Sequence, residues 1–310
     1  MLQPDNRNYA LCIPTLNAGT LWREWLQRAA PVIAHTTTLV VDSSSDDDTA
    51  PLAVQAGCRV EVIERAHFDH GATRDWALRQ LGDYEIVVFL TQDALLASPT
   101  AIEELVAVFE DPTVGAVYGR QLPHRDATPF AAHARSFNYP AHSHRVAPED
   151  MARWGIKAAF LSNSFAAYRR DALLAAGGFP HDTILSEDMV AGARLLKAGW
   201  QLAYCAEAQV YHSHNYSGLQ ELRRYFDIGV LHAREPWIMQ MTGQAEGEGK
   251  RFVVSEWRYL SRHRPWLIPE AFMRNALKYL GYRLGHSERR LPPWLKRALS
   301  MNRGYWNRRR

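Results

Sequence analysis

Several short stretches of this chain carry residue types that could do chemistry. Asp42 ends an apolar run and opens the series Asp42-Ser43-Ser44-Ser45-Asp46-Asp47-Asp48-Thr49. A carboxylate there can accept hydrogen bonds from a nucleobase N–H or from ribose hydroxyls, although Ser45, Asp46 and Asp47 could equally cap the helix that follows. Asp93 closes Thr91-Gln92-Asp93 after the most apolar strand of the chain. Mg²⁺ and Mn²⁺ take oxygen ligands, commonly one or two carboxylates plus substrate phosphates, and a cation on a diphosphate stabilises it as a leaving group. His212 and His214 lie two apart at a strand end. Period-two geometry puts both on one face, so either could add a nitrogen ligand to a site at Asp93. Glu187-Asp188 stands at a predicted helix start, where the helix dipole favours acids; one of the two could take the proton of an attacking hydroxyl. In residues 67–75 (HFDHGATRD) Gly71 would let backbone approach a ligand closely, and Arg74 could engage a phosphate or carboxylate.

The elements that must position these groups alternate between strand and helix. Residues 9–15, 37–43, 59–65, 85–90 (EIVVFL) and 114–118 read as strands. Between them lies a helix capped by Thr20 with Trp22, Trp25, Leu26 and Ala29 on one face, and another opened by Ser98 and Pro99 with Ile102, Leu105, Val106 and Phe109 along one side. Short strands alternating with helices predict an α/β fold with a mostly parallel sheet covered on both faces. Ligands then collect beyond the carboxyl ends of the strands, which is where Asn17, Asp42 and Asp93 fall. Residues 160–169 are expected to form a further strand, Gly177-Gly178-Phe179-Pro180 a turn, and Ser217 with Gln220 a capping box. There is no GxGxxG and no GxxxxGK[ST], so neither a dinucleotide site nor a P-loop is expected.

The chain has 310 residues, with a hydrophobic fraction of 47% and a charged fraction of 22%, proportions that suit a large globular α/β domain with a C-terminal extension. Its three cysteines, Cys12, Cys58 and Cys205, form neither a disulfide framework nor a zinc spacing, so a reducing, cytoplasmic compartment is expected. The polar N-terminus does not read as a signal peptide, and no apolar run reaches the roughly 18 residues of a membrane span. The net charge of +3 hides an asymmetry: residues 251–310 carry 15 Lys/Arg and 3 Asp/Glu, hence +12, which leaves −9 for residues 1–250. That tail also holds Trp257, Trp266, Trp294 and Trp306. Basic and aromatic residues together suit an anionic lipid surface at the inner face of a membrane; the alternatives are a solvated helical appendage, or a tail that packs on the acidic catalytic domain and closes the acceptor cleft. Trp266, Leu267, Ile268, Phe272, Met273, Ala276 and Leu277 could form the apolar side of an in-plane helix interrupted at Pro269, and residues 244–250 (QAEGEGK) read as a linker. The expected division is a catalytic region over 1–243, its nucleotide-binding half about 1–120 and its acceptor half about 121–243, followed by a helical extension over 244–310. Nucleic acid is not expected as a partner.

Over about residues 9–235 these stretches resemble the family-2 glycosyltransferases of GT-A fold. Pro14-Thr15-Leu16-Asn17 is similar to the family's P-x-x-N, and Asp42 to Thr49 to its D-x-x-S-x-D-x-T, which holds the base and ribose. Gly71 to Asp75 is similar to its G-x-x-x-R-N, with Asp in place of Asn. Thr91-Gln92-Asp93 stands where the family has D-x-D and lacks its first Asp, which leaves Asp93 as the carboxylate ligand. Glu187-Asp188 resembles the E-D motif whose Asp supplies the base. The resemblance implies Pro14, Thr15, Asn17, Asp42, Ser44, Gly71, Arg74, Gln92 and Asp93 at the nucleotide sugar, Asp93 with His212 or His214 on Mg²⁺ or Mn²⁺, and Asp188 with Glu187 at the acceptor hydroxyl. FDHGATRD (68–75), FLTQDA (89–94), VYGRQLP (117–123), FLSNSFAAYR (160–169) and HSHNYS (212–217) resemble, more narrowly, bacterial rhamnosyltransferases of this family. That implies dTDP-β-L-rhamnose as donor and a surface polysaccharide or lipid-linked glycan as acceptor. Two other readings remain at this point: a sugar-1-phosphate nucleotidyltransferase, which would want a Gly-rich basic loop after the first strand, and an inactive glycan-binding protein at a membrane surface.

Overall fold

The computed structural model describes residues 8–243 and 246–307, so the N-terminal stretch read above lies outside it but for its last residue. Its elements run β1 (Tyr9–Thr15), α1 (Gly19–Ile33), β2 (Thr38–Asp42), α2 (Thr49–Gln55), β3 (Arg59–Val62), α3 (His70–Gln80), β4 (Ile86–Leu90), β5 (Leu95–Leu96), α4 (Ala101–Ala107), β6 (Val114–Leu122), α5 (Pro129–Asn138), β7 (His144–Val146) and α6 (Met151–Trp154). There follow β8 (Phe165–Arg169), α7 (Arg170–Ala175), α8 (Glu187–Lys197), β9 (Gln201–Tyr211), α9 (Gly218–Arg234), α10 (Pro236–Thr242), α11 (Glu246–His263), α12 (Ile268–His286), α13 (Pro293–Leu299) and α14 (Arg303–Asn307).

The strands form one sheet in the order β3-β2-β1-β4-β8-β6-β9-β5, with β7 on β9. From β3 to β4 it is parallel, as the strand–helix alternation requires. Beyond β4 it is mixed: β8 runs antiparallel between β4 and β6, and β9 returns parallel to β6. Side chains alternate between two apolar layers. Val87 and Phe89 of β4 enter one, Ile86, Val88 and Leu90 the other, which is why this strand is apolar at every position. Trp22, Trp25, Leu26 and Ala29 are all buried, and the Trp22 and Trp25 rings stack at 4.8 Å.

Local boundaries differ from the sequence reading where backbone geometry intervenes. Helix α1 opens at Gly19 with φ +63°, and Thr20 is inside its first turn rather than its cap. Ser98 and Pro99 form the turn before α4. Residues 160–164 lead into β8 without pairing in the sheet. The capping box of Ser217 and Gln220 forms, with Gln220 N–H donating to Ser217 Oγ at 3.3 Å and Ser217 N–H to Gln220 Oε1 at 2.8 Å.

The stretch expected as a linker is a correction. From residue 246 it is the start of α11, and Lys157 Nζ reaches Glu248 Oε2 at 2.7 Å. Helix α12 then lies directly on α9. A Cβ added at Gly281 would stand 2.2 Å from Leu222 O, one at Gly285 1.9 Å from Phe226 O, and one at Gly229 2.2 Å from Tyr282 O. Only glycine lets two helix backbones approach so closely, so the extension is welded to the helix that follows the His212–His214 strand end. Pro269 is in the first turn of α12, where its missing N–H breaks no hydrogen bond. Among the described residues no helix is long and apolar enough to cross a membrane.

Candidate active site

Pairing of β5 with the end of β9, Leu95 opposite Tyr211, turns the chain after β4 so that Asp93 meets the two histidines. Asp93 Oδ2 lies 3.4 Å from His212 Nε2 and 3.9 Å from His214 Nδ1, and ligand atoms of the three residues fall within 4.8 Å of one another. Burial lowers the basicity of both imidazoles, His214 to about 4, where the neighbouring His212 adds to the effect. Both rings are therefore neutral near pH 7 and free to act as ligands. Burial works against charge on Asp93, but the His212 imidazole beside it, followed by Thr91 and His214, outweighs burial and holds the carboxyl well below the usual range.

The next layer fixes His212. Its Nδ1 lies 2.9 Å from Gln121 Oε1, which Arg135 also reaches, while Gln121 Nε2 donates to Ser162 Oγ at 2.8 Å. Since Arg135 can only donate, Gln121 Oε1 is an acceptor and His212 donates Nδ1–H to it. The Nε2 lone pair then faces a carboxylate oxygen, and two acceptors so placed are satisfied by a cation between them. The donor set fits a divalent metal.

The acid pair heads α8. Asp188 accepts from the backbone N–H of Asn163 at 3.0 Å and of Met189 at 2.8 Å. Burial, followed by the charge of Glu187, pushes its carboxyl up to about 7. Glu187 behaves oppositely. Burial disfavours its charge, but Arg74 at 3.0 Å and the Asn163 amide, which donates to Glu187 Oε1 at 3.0 Å, keep it ionised. Glu187 is 5% exposed and fully engaged, so it positions the pair rather than meeting an acceptor.

Asn163, which the sequence reading left without a role, thus holds both acids, with its own Oδ1 accepting from Tyr168 OH at 2.7 Å. Its neighbour Ser162 holds Gln121 and through it His212. Two adjacent residues join the cluster of Asp93, His212 and His214 to the acid pair. The only signal for them was a Ser-Asn step inside an apolar stretch.

Several residues expected at the nucleotide have protein partners in the fold. Arg74 is 4% exposed, and its guanidinium serves Glu187 and His70 O rather than a phosphate. A Cβ on Gly71 would stand 1.7 Å from Pro180 O, so the close approach is to the loop before α8, not to a ligand. Asp75 completes this clamp by accepting from Phe179 N–H at 3.1 Å. The segment 71–75 therefore sets the position of α8.

Asp42 is 1% exposed and accepts from Thr15 Oγ1 at 2.9 Å, Ser45 Oγ at 2.6 Å and Ser45 N–H at 2.8 Å. It holds the loops after β1 and β2 together instead of presenting its carboxylate to solvent. Asn17 (φ +46°) belongs to the same seam, receiving Asp46 N–H at 2.8 Å, and Ser44 (φ +56°) donates to Ile63 O at 2.8 Å. The Gln92 amide bonds both ways with the Leu16 backbone, at 2.8 and 3.1 Å. Pro14 pairs with Val41 beyond the point where the ladder to β4 ends, so its missing N–H costs no sheet bond. These residues build the rim of the strand ends.

Comparison with known proteins agrees with this arrangement. The family described as "Glycosyltransferase like family 2" matches residues 4–225. The chain is 47% identical over 302 residues to O-antigen chain rhamnosyltransferase WbaN of Salmonella anatum, covering 97% of this chain and 96% of that one. It is 47% identical over 299 residues to O-antigen chain rhamnosyltransferase RfbN of Salmonella typhimurium, covering 96% and 95%. The fold resembles the mannosyltransferase PcManGT of Pyrobaculum calidifontis, solved with GDP-Man and Mn²⁺ (TM-score 0.55, 21% identity, 99% of this chain and 89% of that one). It also resembles S. aureus TarS 1–349 (TM-score 0.54, 14% identity, 91% of each chain).

Proposed function

Because this chain belongs to the glycosyltransferase-like family 2, we propose that it moves L-rhamnose from dTDP-β-L-rhamnose onto a hydroxyl of a growing O-antigen or lipid-linked glycan, with inversion. Membership in this family sets aside the nucleotidyltransferase and inactive-protein alternatives. Asp188 takes the proton of the acceptor hydroxyl, whose oxygen attacks the anomeric carbon from the face opposite the diphosphate. The C–O bond to the diphosphate breaks, and dTDP leaves. Asp93, His212 and His214 would hold a divalent cation, which supplies positive charge for the departing diphosphate. Glu187, Arg74 and Asn163 fix the base, and the seam of Asp42, Asn17 and Gln92 shapes the loops at the nucleotide.

The observation that carries this reading is the Ser162–Asn163 bridge, which anchors the ligand His212 and the base Asp188 to one point of the backbone. The rhamnose part is supported by the relatives named above, and the thymidine part rests on the sequence resemblance alone. Titration calorimetry with Mn²⁺ present tests the donor: dTDP is expected to bind more tightly than GDP. Equal or reversed affinities would withdraw the rhamnose reading and leave sugar transfer standing.

The same reading puts the enzyme peripherally at an anionic membrane surface on the cytoplasmic side. Helix α12 buries Ala271, Lys278, Gly281 and Gly285 against the body of the protein. On its other side Phe272, Met273, Tyr279 and Leu280 are exposed, with Trp266 just before it. Trp266 at 67%, Phe272 at 66% and Tyr279 at 66% are more exposed than large apolar groups usually are in water. Exposed Arg262, Arg264 and Arg283 neighbour them. Aromatic rings suit the headgroup layer, and each basic residue near it contributes on the order of 1 kcal/mol. Removing the extension would bare the glycine seam on α9, so surface substitutions are the sounder test. The full chain is expected to sediment with phosphatidylglycerol vesicles at low salt and not with phosphatidylcholine vesicles. Trp266→Ser, Phe272→Ser and Tyr279→Ser combined should leave it in the supernatant. A wild-type chain that ignores anionic vesicles contradicts the membrane reading.

A further inference from the structure

Arg74 is buried on Glu187, which leaves the diphosphate without the arginine that the sequence suggested. A divalent ion on one carboxylate and two neutral imidazoles keeps a single net positive charge. A nucleotide-sugar diphosphate carries two negative charges and gains a third as it departs. Fixed donors beside the metal stabilise charge of this kind. The geometry points to Arg224 of α9 as such a donor: its guanidinium holds the diphosphate of the nucleotide sugar from the side of His214. The inference rests on the function proposed above and deepens it by naming a residue that meets the donor.

Three observations support it. First, Arg224 stands beside the cluster of Asp93, His212 and His214 and is held there by an aromatic ring. Its guanidinium carbon lies 5.8 Å from the centre of the Tyr216 ring, within the range of a cation–π contact. The Tyr216 ring lies 5.1 Å from that of His214, and the His214 ring 4.7 Å from that of His212. The guanidinium therefore ends a row of rings that begins at Asp93. Burial pushes the Tyr139 hydroxyl above the usual tyrosine range, and the charges of Arg135, Asp188 and Arg224 also act on it. The field of Arg224 thus overlaps that of the base as well.

Second, the acids that could neutralise Arg224 are taken. On a helix the partners of a side chain stand three or four places away, and for Arg224 these are Gln220, Glu221, Asp227 and Ile228. Glu221 pairs with Arg274 and Lys278, each at 3.3 Å. Asp227 is 0% exposed and accepts from the backbone N–H of Met301 at 3.0 Å and of Asn302 at 3.2 Å. Gln220 closes the capping box. Third, Arg224 is exposed, while basic side chains around it are engaged: Arg223 donates to Ala298 O at 3.2 Å, and Arg234 and Lys296 share Glu288. A stacked guanidinium whose helix partners are committed elsewhere keeps its donors open to an anion, and its planar fork suits phosphate oxygens.

The test is calorimetric and uses the full chain. With Mn²⁺ present, Arg224→Gln is expected to bind dTDP about tenfold more weakly than the wild type. Arg224→Lys, which keeps the charge without the fork, should recover part of that loss. Mn²⁺ alone should bind Arg224→Gln as well as the wild type or slightly more tightly, because a repelling charge has gone. Weaker binding of Mn²⁺ alone, by several-fold, would mean that Arg224 acts through Tyr216 and His214, and would overturn the diphosphate contact. Unchanged dTDP affinity in Arg224→Gln overturns it too; loss of sedimentation with phosphatidylglycerol vesicles in that same variant would then assign the guanidinium to lipid phosphate. UDP and GDP are titrated alongside. A tenfold loss on whichever nucleotide the wild type binds best upholds the contact even if that nucleotide is not dTDP. A wild type that binds none of the three withdraws the sugar-transfer reading and this inference with it, whereas equal binding by wild type and variant removes the inference alone.

Discussion

Replacing Asp188 by Asn is expected to lower turnover by about 10²-fold to 10⁴-fold, the range that a positioned general base contributes, while dTDP binding changes little. The substitution keeps the shape of the side chain; Asn163 N–H and Met189 N–H bond different oxygens, so one keeps its acceptor and the other faces the new amide NH2, and circular dichroism checks that the fold is kept. A base works only when deprotonated. Burial and Glu187 push Asp188 up to about 7, so wild-type kcat at saturating substrate should fall as pH drops through about 7 and level off above it. The histidines of the cluster are lowered instead, His214 to about 4, and do not produce that limb. Stopped or continuous release of dTDP, measured across pH, reads both effects. Near-normal turnover in Asp188→Asn would remove Asp188 from the role of base.

The second large effect is at the metal ligands. Asp93→Ala is expected to lower activity on the order of 10²-fold to 10³-fold, because several kcal/mol of charge stabilisation at the diphosphate depends on the cation. EDTA should abolish wild-type activity and Mn²⁺ restore it. The two histidines should differ. His212 is buried and held by Gln121, whereas the His214 side chain is 39% exposed with no such support. His212→Ala is therefore expected to cost more than His214→Ala, and Gln121→Leu about 10-fold to 100-fold through the orientation of His212. Activity assayed against added Mn²⁺ separates weakened metal binding from lost chemistry. Full activity in chelator would overturn the metal assignment for the whole cluster.

What the sequence disclosed follows from what each signal depends on. Apolar periodicity is local, so the parallel half of the sheet, the Trp22–Trp25 face of α1 and the capping box at Ser217 were all legible. The acid pair and the Asp93, His212 and His214 cluster were legible too, since strand ends concentrate polar groups in this class of fold. Partners distant in sequence were not. Arg74 is a phosphate ligand or a structural cation according to whether Glu187, far along the chain, takes its guanidinium, and no local pattern tells which. Gln92 and Asp42 were read as facing a nucleotide because they end strands; in the fold, neighbouring loops come close enough to occupy them. Asn163 was missed because its importance lies wholly in contacts across the chain. Residues 246–250 were misread because a polar, glycine-bearing stretch resembles a linker, whereas in the fold it opens α11 with Glu248 paired to Lys157.

The measurement that tests the central claim most directly is the anomeric configuration of the first product. Purified protein, Mn²⁺, dTDP-β-L-rhamnose and an O-antigen oligosaccharide acceptor would be followed by NMR until one equivalent has reacted. Single displacement with Asp188 as base requires an α-linked L-rhamnoside and dTDP in equal amounts. A β-linked product would contradict it.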